Sequence, residues 1–123
     1  MLVAHFPARA PIDAYGNGGF RFADMSHRGS ILCLPSGTHG WDVVEPAGLS
    51  LVSFAEVLAQ ASEIEVLLCG MGSRIALLSQ EVRSAFRANA IAADVMSTGA
   101  AVRTFNIMLA EGRAVAAALI AVP

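Results

Sequence analysis

The chain has 123 residues, of which 55% are hydrophobic and 15% are charged, and its formal net charge at pH 7 is −2. This length fits a single domain over 1–123 with one sizeable core, and the composition is too apolar for intrinsic disorder. All eight basic residues are arginine. The absence of lysine excludes a P-loop cation and Schiff-base chemistry, and the absence of a basic cluster in the sequence disfavours nucleic-acid binding.

The first third of the chain is predicted to form an arm followed by a β-hairpin. Residues 1–14 contain two prolines and no clean period, which predicts an irregular N-terminal arm. Phe20 and Phe22 alternate with a charged and a small residue, which is typical of a half-buried strand. Residues 26–29 are predicted to be a turn, and the apolar run 30–35 is expected to be a strand covered on both faces.

An extended segment and a helix are predicted next. The extended segment is expected over 41–44, where Trp41 is interpreted as capping the core, or alternatively as an exposed anchor for a partner. Ser53 and Glu56 have capping-box spacing. Because apolar residues recur at helical spacing over 54–61, this region predicts a short amphipathic helix.

Strands and helices then alternate to the end of the chain. The strands are predicted over 64–69, 91–95 and 113–122, and the helices over 79–89 and from Ser97 or Thr98, either of which could cap the helix, to Gly112. Because crossovers between parallel strands are right-handed, this alternation predicts a largely parallel core sheet that is flanked by helices and joined to the N-terminal hairpin.

The sequence contains no spacing typical of a metal site, no G-x-S-x-G motif and no recognisable acid/base pair, so no metal, cofactor or catalytic residue is predicted. His5, His27 and His39 are expected in an arm, a turn and a loop. Cys33 and Cys69 lie within apolar strand patterns and are interpreted as buried reduced thiols.

The sequence favours a cytoplasmic protein. Its first residues have neither the apolar stretch of a signal peptide nor the amphipathicity of a transit peptide. The longest apolar run, 114–123, is too short to span a bilayer, so an integral membrane protein is not expected.

Two loops are predicted to meet at one edge of the sheet. Gly70 and Gly72 follow a buried strand, and Ser97 and Thr98 begin the last helix. Because parallel strands place both loops at the same carboxyl edge, backbone amides and the helix dipole could hold a carboxylate or phosphate there. The alternative is a tight glycine loop that only leaves the sheet, since the third glycine of a dinucleotide-binding fingerprint is missing.

The last helix carries a stripe of small and polar residues on one face. Its members are Gly99, Arg103, Asn106 and Ala110. Small residues would let a partner approach, and the Arg103 guanidinium could bind a carboxylate. Alternatively, Arg103 pairs with an acid or is solvated, and Asn106 ties down a loop. Ile107 makes the helix apolar on a second side, which favours a covered surface or a contact within a homo-oligomer.

Several segments carry a family resemblance. They are Tyr15–Phe22, Gly29–Pro35, Trp41, Val66–Gly72, Met96–Asn106 and Glu111–Arg113. With these segments the chain resembles a family of small domains of unassigned activity, shared by prokaryotic proteins, the adipogenesis-associated domain protein and a mitochondrial complex I assembly factor. The resemblance implies a three-layer α/β domain with a mixed central sheet, and it implies no catalytic residue. Without a transit peptide, the chain is similar to the prokaryotic members.

The sequence supports two functional hypotheses. The first is a non-enzymatic protein-interaction module, similar to an assembly factor, whose partner is a protein of a membrane-associated complex. Its contact face would include Arg103, Asn106 and the two loop ends. The second is a binder of a small anionic ligand, or an enzyme acting on one, held by the two loops and Arg103. The lack of recognisable catalytic groups favours the first.

Overall fold

A computed structural model of the protein describes residues 5–123, which fold into two β-sheets and three α-helices. The strands are β1 His5–Phe6, β2 Ala14–Gly16, β3 Gly19–Phe22, β4 Met25–Arg28, β5 Ser30–Leu34, β6 Gly37–Trp41, β7 Val66–Gly70, β8 Ala92–Met96 and β9 Val115–Leu119. The helices are α1 Ala55–Ala59, α2 Gln80–Ala88 and α3 Thr98–Ala110. Short 3-10 helices, Pro46–Gly48, Val52–Phe54 and Ala61–Glu63, flank α1.

The larger sheet is mixed, with the strand order β1-β6-β5-β9-β7-β8. Strands β1, β6, β5 and β9 pair in this order in antiparallel fashion. Strand β7 pairs with β9 on one side and with β8 on the other, and both of these pairings are parallel. Phe54 and Phe86 belong to the core on the α1 and α2 side of the sheet, and Phe105 of α3 belongs to the core on the other side. The predicted α/β architecture, with a mixed sheet, three helices and an N-terminal hairpin, is confirmed. Its parallel part is confined to the last three strands of the chain.

Strand β9 lies at the centre of the sheet, and each of its residues is at most 1% exposed. Ala116 and Ala118 contact the core on one face, whereas Ala117 and Leu119 contact the core on the other. A strand covered on both faces has a continuous apolar sequence rather than an alternating one. The small alanine side chains also let the layers on both faces approach the strand closely.

The predicted irregular arm is partly regular. Within it, His5 and Phe6 form β1 and pair with His39 and Thr38 of β6, so that β1 is an edge strand of the larger sheet. Residues 7–13 have no regular secondary structure. The remainder of the predicted arm, residues 1–4, lies outside the described residues.

The turn predicted at 26–29 is wrong, because Met25–Arg28 forms a strand. Strands β2, β3 and β4 make a separate three-stranded antiparallel sheet. Two-residue turns connect them, with φ of 52° and 79° at Asn17 and Gly18, and of 49° and 60° at Ala23 and Asp24. Left-handed φ at both turn residues is typical of type I′ turns, whose twist matches that of paired strands.

Two further details differ between prediction and structure. The extended segment predicted to begin at Trp41 ends there, so it lies before Trp41 rather than after it. The capping box at Ser53 is wrong, because the Ser53 hydroxyl accepts a bond from the Ser50 amide, 3.1 Å away, and Val52–Phe54 is a 3-10 helix that leads into α1. Trp41 is buried and its indole N–H donates to the Ser53 carbonyl at 2.8 Å, which confirms that it caps the core.

Helices α2 and α3 end in the same backbone motif. After α2 the Ile91 N–H donates to the Phe86 carbonyl at 2.9 Å, and after α3 the Arg113 N–H donates to the Met108 carbonyl at 3.0 Å. This bond is the hallmark of a Schellman motif, in which the preceding residue adopts a left-handed conformation. That residue is an alanine after α2 and a glycine after α3.

Exchanging these two residue types should change stability in opposite directions. Ala90 has a φ of 58° and Gly112 a φ of 74°. Both values lie in the left-handed backbone region, which is unfavourable for any residue that has a Cβ atom. We expect Ala90→Gly to raise the free energy of unfolding by roughly 0.5–1 kcal/mol and Gly112→Ala to lower it by about 1 kcal/mol. Urea denaturation measures both, and effects of the same sign would contradict this account.

Candidate functional site

The two predicted loops meet at the carboxyl edge of the parallel strands. The Met71 N–H donates to the Met96 carbonyl at 2.9 Å, and the Thr98 N–H donates to the Gly72 carbonyl at 2.9 Å. The predicted placement of the loops side by side is therefore confirmed. Glycine at position 70 is needed for this contact, because a Cβ on Gly70 would lie 2.9 Å from the Thr98 Cα.

Several polar groups of this loop junction, formed by residues 70–72 and 97–98, have hydrogen-bond partners within the protein. The Thr98 hydroxyl is fully buried, accepts from the Gly72 N–H at 2.9 Å and donates to the Ile120 carbonyl at 2.7 Å. The Ser97 hydroxyl accepts from the Ala100 N–H at 3.3 Å and caps α3, which confirms the predicted start of this helix. The amides of Gly72, Thr98 and Ala100 therefore already have partners within the protein.

Asn106 holds residues 12–15, here called the N-terminal segment, against α3. Its Oδ1 accepts from the Ile12 N–H at 2.8 Å, and its Nδ2 donates to the Ile12 carbonyl at 2.8 Å. The side-chain amide thus satisfies both backbone groups of a residue in an irregular segment, where no strand supplies partners. This geometry confirms the structural alternative for Asn106, in which it ties down a loop.

Tyr15 covers the first residue of the small and polar stripe on α3. A Cβ at Gly99 would collide with the Tyr15 hydroxyl, so glycine at this position lets the ring lie on the helix. The close approach that the sequence predicts for a partner is here made by the protein's own N-terminal segment. Tyr15 and Ile12 are site residues that the sequence reasoning missed.

A groove of about 380 Å³ lies between this segment and α3. Its lining residues are Ile12, Asp13, Ala14, Tyr15, Gly99, Val102, Arg103 and Asn106. Arg103 is exposed and forms no salt bridge with any residue of 5–123, so its guanidinium is solvated. The structure therefore brings Arg103 and Asn106 to this groove and places Gly70, Gly72, Ser97 and Thr98 at the loop junction.

Truncation of Asn106 should release the N-terminal segment. We expect Asn106→Ala to lower the free energy of unfolding by about 2 kcal/mol, because both backbone groups of Ile12 lose their partner. The Ile12 amide should also lose protection from hydrogen exchange, which NMR measures directly. Arg103→Ala on the same helix is the matched control, and its effect should stay within about 0.5 kcal/mol. Equal destabilisation by the two variants would argue against the clamp.

The two cysteines are buried on opposite faces of the larger sheet. Cys33 belongs to the core beneath α3, and Cys69 belongs to the core beneath α1 and α2. Both are free thiols, and burial raises the pKa of each to about 12. The prediction of buried reduced thiols is confirmed, and neither thiol has the thiolate character that a nucleophile needs.

We expect both thiols to resist modification in the native protein. With a pKa of about 12, about one thiol in ten thousand is ionised at a pH near 8, and burial also blocks access. Ellman's reagent should therefore label neither Cys33 nor Cys69 until denaturant is added, whereupon both should react. Rapid labelling without denaturant would show that one of the sheet faces is open.

Within residues 5–123 the structure contains no cluster of three or more His, Cys, Asp or Glu side chains that could hold a metal ion. His5, His27 and His39 lie on β1, β4 and β6, not in an arm, a turn and a loop as predicted. The rings of His5 and His39 stack with centroids 4.2 Å apart. Burial lowers the pKa of His39, and the charge of the neighbouring His5 lowers it further. The ring contact supports the two-residue pairing of β1 with β6.

Among the described residues, no helix combines the length and the hydropathy required to cross a membrane.

Comparison with known proteins places the chain in a family. Residues 12–120 match the family described as a protein of unknown function, DUF498/DUF598. An uncharacterised protein of Rhodobacter capsulatus is 37% identical over 118 residues, which cover 96% of this chain and 90% of that protein. The chain therefore belongs to the DUF498/DUF598 family.

Several relatives have a name that refers to function. NADH dehydrogenase (ubiquinone) 1 alpha subcomplex assembly factor 3 of Mus musculus is 32% identical over 123 residues. The match covers all of this chain and 66% of the mouse protein, which is therefore considerably longer. The resemblance to a mitochondrial complex I assembly factor is confirmed.

Solved bacterial structures share the whole fold. A Bartonella henselae protein described as an outer membrane protein superimposes with a TM-score of 0.93 at 58% identity, covering 97% of this chain and all of that one. A Rhodopseudomonas palustris protein superimposes with a TM-score of 0.85 at 47% identity, covering all of this chain and 91% of that one. The two-sheet architecture is thus common to these bacterial proteins.

Proposed function

We propose that this protein is a non-enzymatic interaction module of the assembly-factor type. In this proposal it works in the cytoplasm and binds a protein subunit of a membrane-associated NADH dehydrogenase complex. The observation that carries the proposal is the match of the entire chain to the mouse assembly factor at 32% identity. The loop junction adds support, because its polar groups stabilise the fold through internal bonds instead of facing a substrate.

The proposed contact is the α3 surface, which consists of Tyr15, Arg103 and Ile107. Tyr15 is 45% exposed and Ile107 is 56% exposed, so both offer apolar area to a partner. Arg103 lies four residues before Ile107, and residues at this spacing project from the same side of a helix. Tyrosine and arginine are enriched among the residues that dominate binding energy in protein interfaces. The solvated guanidinium can donate paired bonds to a carboxylate of the partner.

The α3 surface is held in place before any partner binds. Asn106 clamps Ile12 at both backbone groups, and Tyr15 rests on Gly99. Binding therefore does not have to order the N-terminal segment, which reduces the entropy lost on association.

The geometry gives less support to a small anionic ligand at the loop junction. The amides of Gly72, Thr98 and Ala100 are bonded within the protein, and Arg103 lines the groove beside residues 12–15. An anion bound by these three amides would displace their internal bonds, and a buried polar group left unpaired costs about 1–3 kcal/mol. This comparison favours the α3 surface as the functional one.

The test is affinity purification from Rhodobacter capsulatus cells that carry a tagged copy of this chain in place of their own relative. Subunits of the NADH dehydrogenase complex should co-purify and can be quantified by mass spectrometry. The double variant Arg103→Ala, Ile107→Ser should reduce their recovery roughly tenfold, corresponding to about 1.4 kcal/mol of binding free energy.

Arg87→Ala is the matched control, because Arg87 is an exposed arginine on α2, on the other side of the sheet. It should leave recovery unchanged. If no NADH dehydrogenase subunit co-purifies with the wild type, the proposed partner is wrong. If the subunits co-purify equally with the double variant, the partner stands and the α3 surface is the wrong contact.

A further inference from the structure

The outer face of the three-stranded sheet carries two neighbouring arginines. The strand registers form two adjacent cross-strand rows, Ala14 with Arg21 and Ser26, and Gly16 with Gly19 and Arg28. Residues directly opposite each other share one face of a sheet, and alternate residues along a strand do so as well. Arg21 and Arg28 are therefore diagonal neighbours on the face opposite to the buried Phe20 and Phe22.

Neither arginine has an acidic partner in the protein. Both are exposed, and the salt bridge found in residues 5–123 joins Arg113 to Glu111. Residues 1–4, outside that range, contain no acidic side chain. Like charges on neighbouring positions of a sheet repel each other. The arrangement is thus unfavourable for the isolated chain and becomes favourable when an anion lies between the two guanidinium groups.

The two arginines line a cavity of about 440 Å³. The other four members of the two rows, Ala14, Gly16, Gly19 and Ser26, line it as well. Their side chains are small, so they leave space beside the guanidinium groups. Glycine at position 19 is additionally required by the fold, because a Cβ there would collide with the His27 carbonyl oxygen.

We propose that this Arg21–Arg28 cavity binds a doubly charged oxyanion, namely phosphate or a phosphate monoester. The two guanidinium groups carry two positive charges, which match a phosphate dianion, whereas a single carboxylate would leave one charge uncompensated. Each guanidinium presents a planar fork of N–H donors that fits phosphate oxygens. The Ser26 hydroxyl, opposite Arg21, offers a further donor, and the small residues leave room for the organic part of an ester.

This site is distinct from the α3 surface and goes beyond the proposed function. Ala14 and Tyr15 border both the Arg21–Arg28 cavity and the groove beside α3, but Arg103 lines only the groove. The two proposals can therefore be tested with separate variants.

The experiment is an NMR titration of the ¹⁵N-labelled chain with sodium phosphate at about pH 7.5, where the dianion is the main form of inorganic phosphate and nearly the only form of a phosphate ester. Sodium chloride at equal ionic strength is the reference. Phosphate should produce saturable shifts at the amides of Gly16, Gly19, Ser26 and Arg28. The variant Arg21→Gln, Arg28→Gln should weaken binding about tenfold or more, because it removes both forks.

The matched control is Arg83→Gln, Arg87→Gln, which likewise removes two exposed arginines. These two lie on α2, one helical turn apart. The control should change the dissociation constant by less than about twofold, because these residues line no part of the cavity. The variant Arg21→Lys, Arg28→Lys keeps both charges without the forks and should retain more affinity than the glutamine variant. The spectrum of each variant shows directly whether the fold is intact.

A second titration with glycerol 3-phosphate distinguishes the two sources of the anion. Tighter binding than that of inorganic phosphate identifies an ester as the ligand, and equal binding identifies free phosphate. Shifts scattered over all exposed arginines, or equal losses of affinity in the Arg21/Arg28 and Arg83/Arg87 variants, would reduce the effect to non-specific charge attraction and overturn the proposal.

Discussion

The packing of α3 on the centre of the sheet depends on one buried hydroxyl group. Thr98 accepts from Gly72 at 2.9 Å and donates to Ile120 at 2.7 Å, so its side chain joins the ends of β7 and β9 to the start of α3. A valine of the same shape would leave a buried amide and a buried carbonyl unpaired, at a cost of about 1–3 kcal/mol for each. Gly70 and Ala117, the β9 alanine that belongs to the core beneath α3, complete this constraint, because larger side chains at these two positions would push the helix away from the strands.

Because its N-terminus is fixed in this way, α3 can position segments that are distant in sequence. The Tyr15 ring packs on Gly99, and the Asn106 side chain bonds to the backbone of Ile12. Arg103, on the same helix, remains exposed at the groove. The stripe of small and polar residues therefore has two roles. Its glycine and asparagine hold the N-terminal segment, and its arginine contributes to the exposed α3 surface. Both roles require α3 and the three-stranded sheet to lie on the same side of the larger sheet, as they do.

The parts of the fold that could be predicted from the sequence are those with local signals. Ser79 and Ser97 cap their helices, and Gly112 ends the last one, so the alternation in the second half was recognisable. The three-stranded sheet was missed although Asn17-Gly18 is a strong hairpin signal, whereas the turn at Ala23-Asp24 contains no glycine that would mark it. The clamp of Asn106 on Ile12 joins residues 94 positions apart, and Thr98 is buried where α3 meets the ends of β7 and β9, so no local pattern reveals either.

The distribution of charge explains how a chain with a net charge of −2 can present cationic sites. Residues 29–73 contain five acidic and no basic side chains, and α1 within this region packs on the face of the larger sheet opposite to α3. Arg21, Arg28 and Arg103 lie on the α3 side of this sheet, whereas Glu56 belongs to α1 on the other side. Exposed charges are screened beyond about 8 Å at physiological ionic strength, so the arginines act only on a partner already in contact. Selectivity must therefore come from geometry: the row of small residues beside Arg21 and Arg28, and the tyrosine ring held next to Arg103.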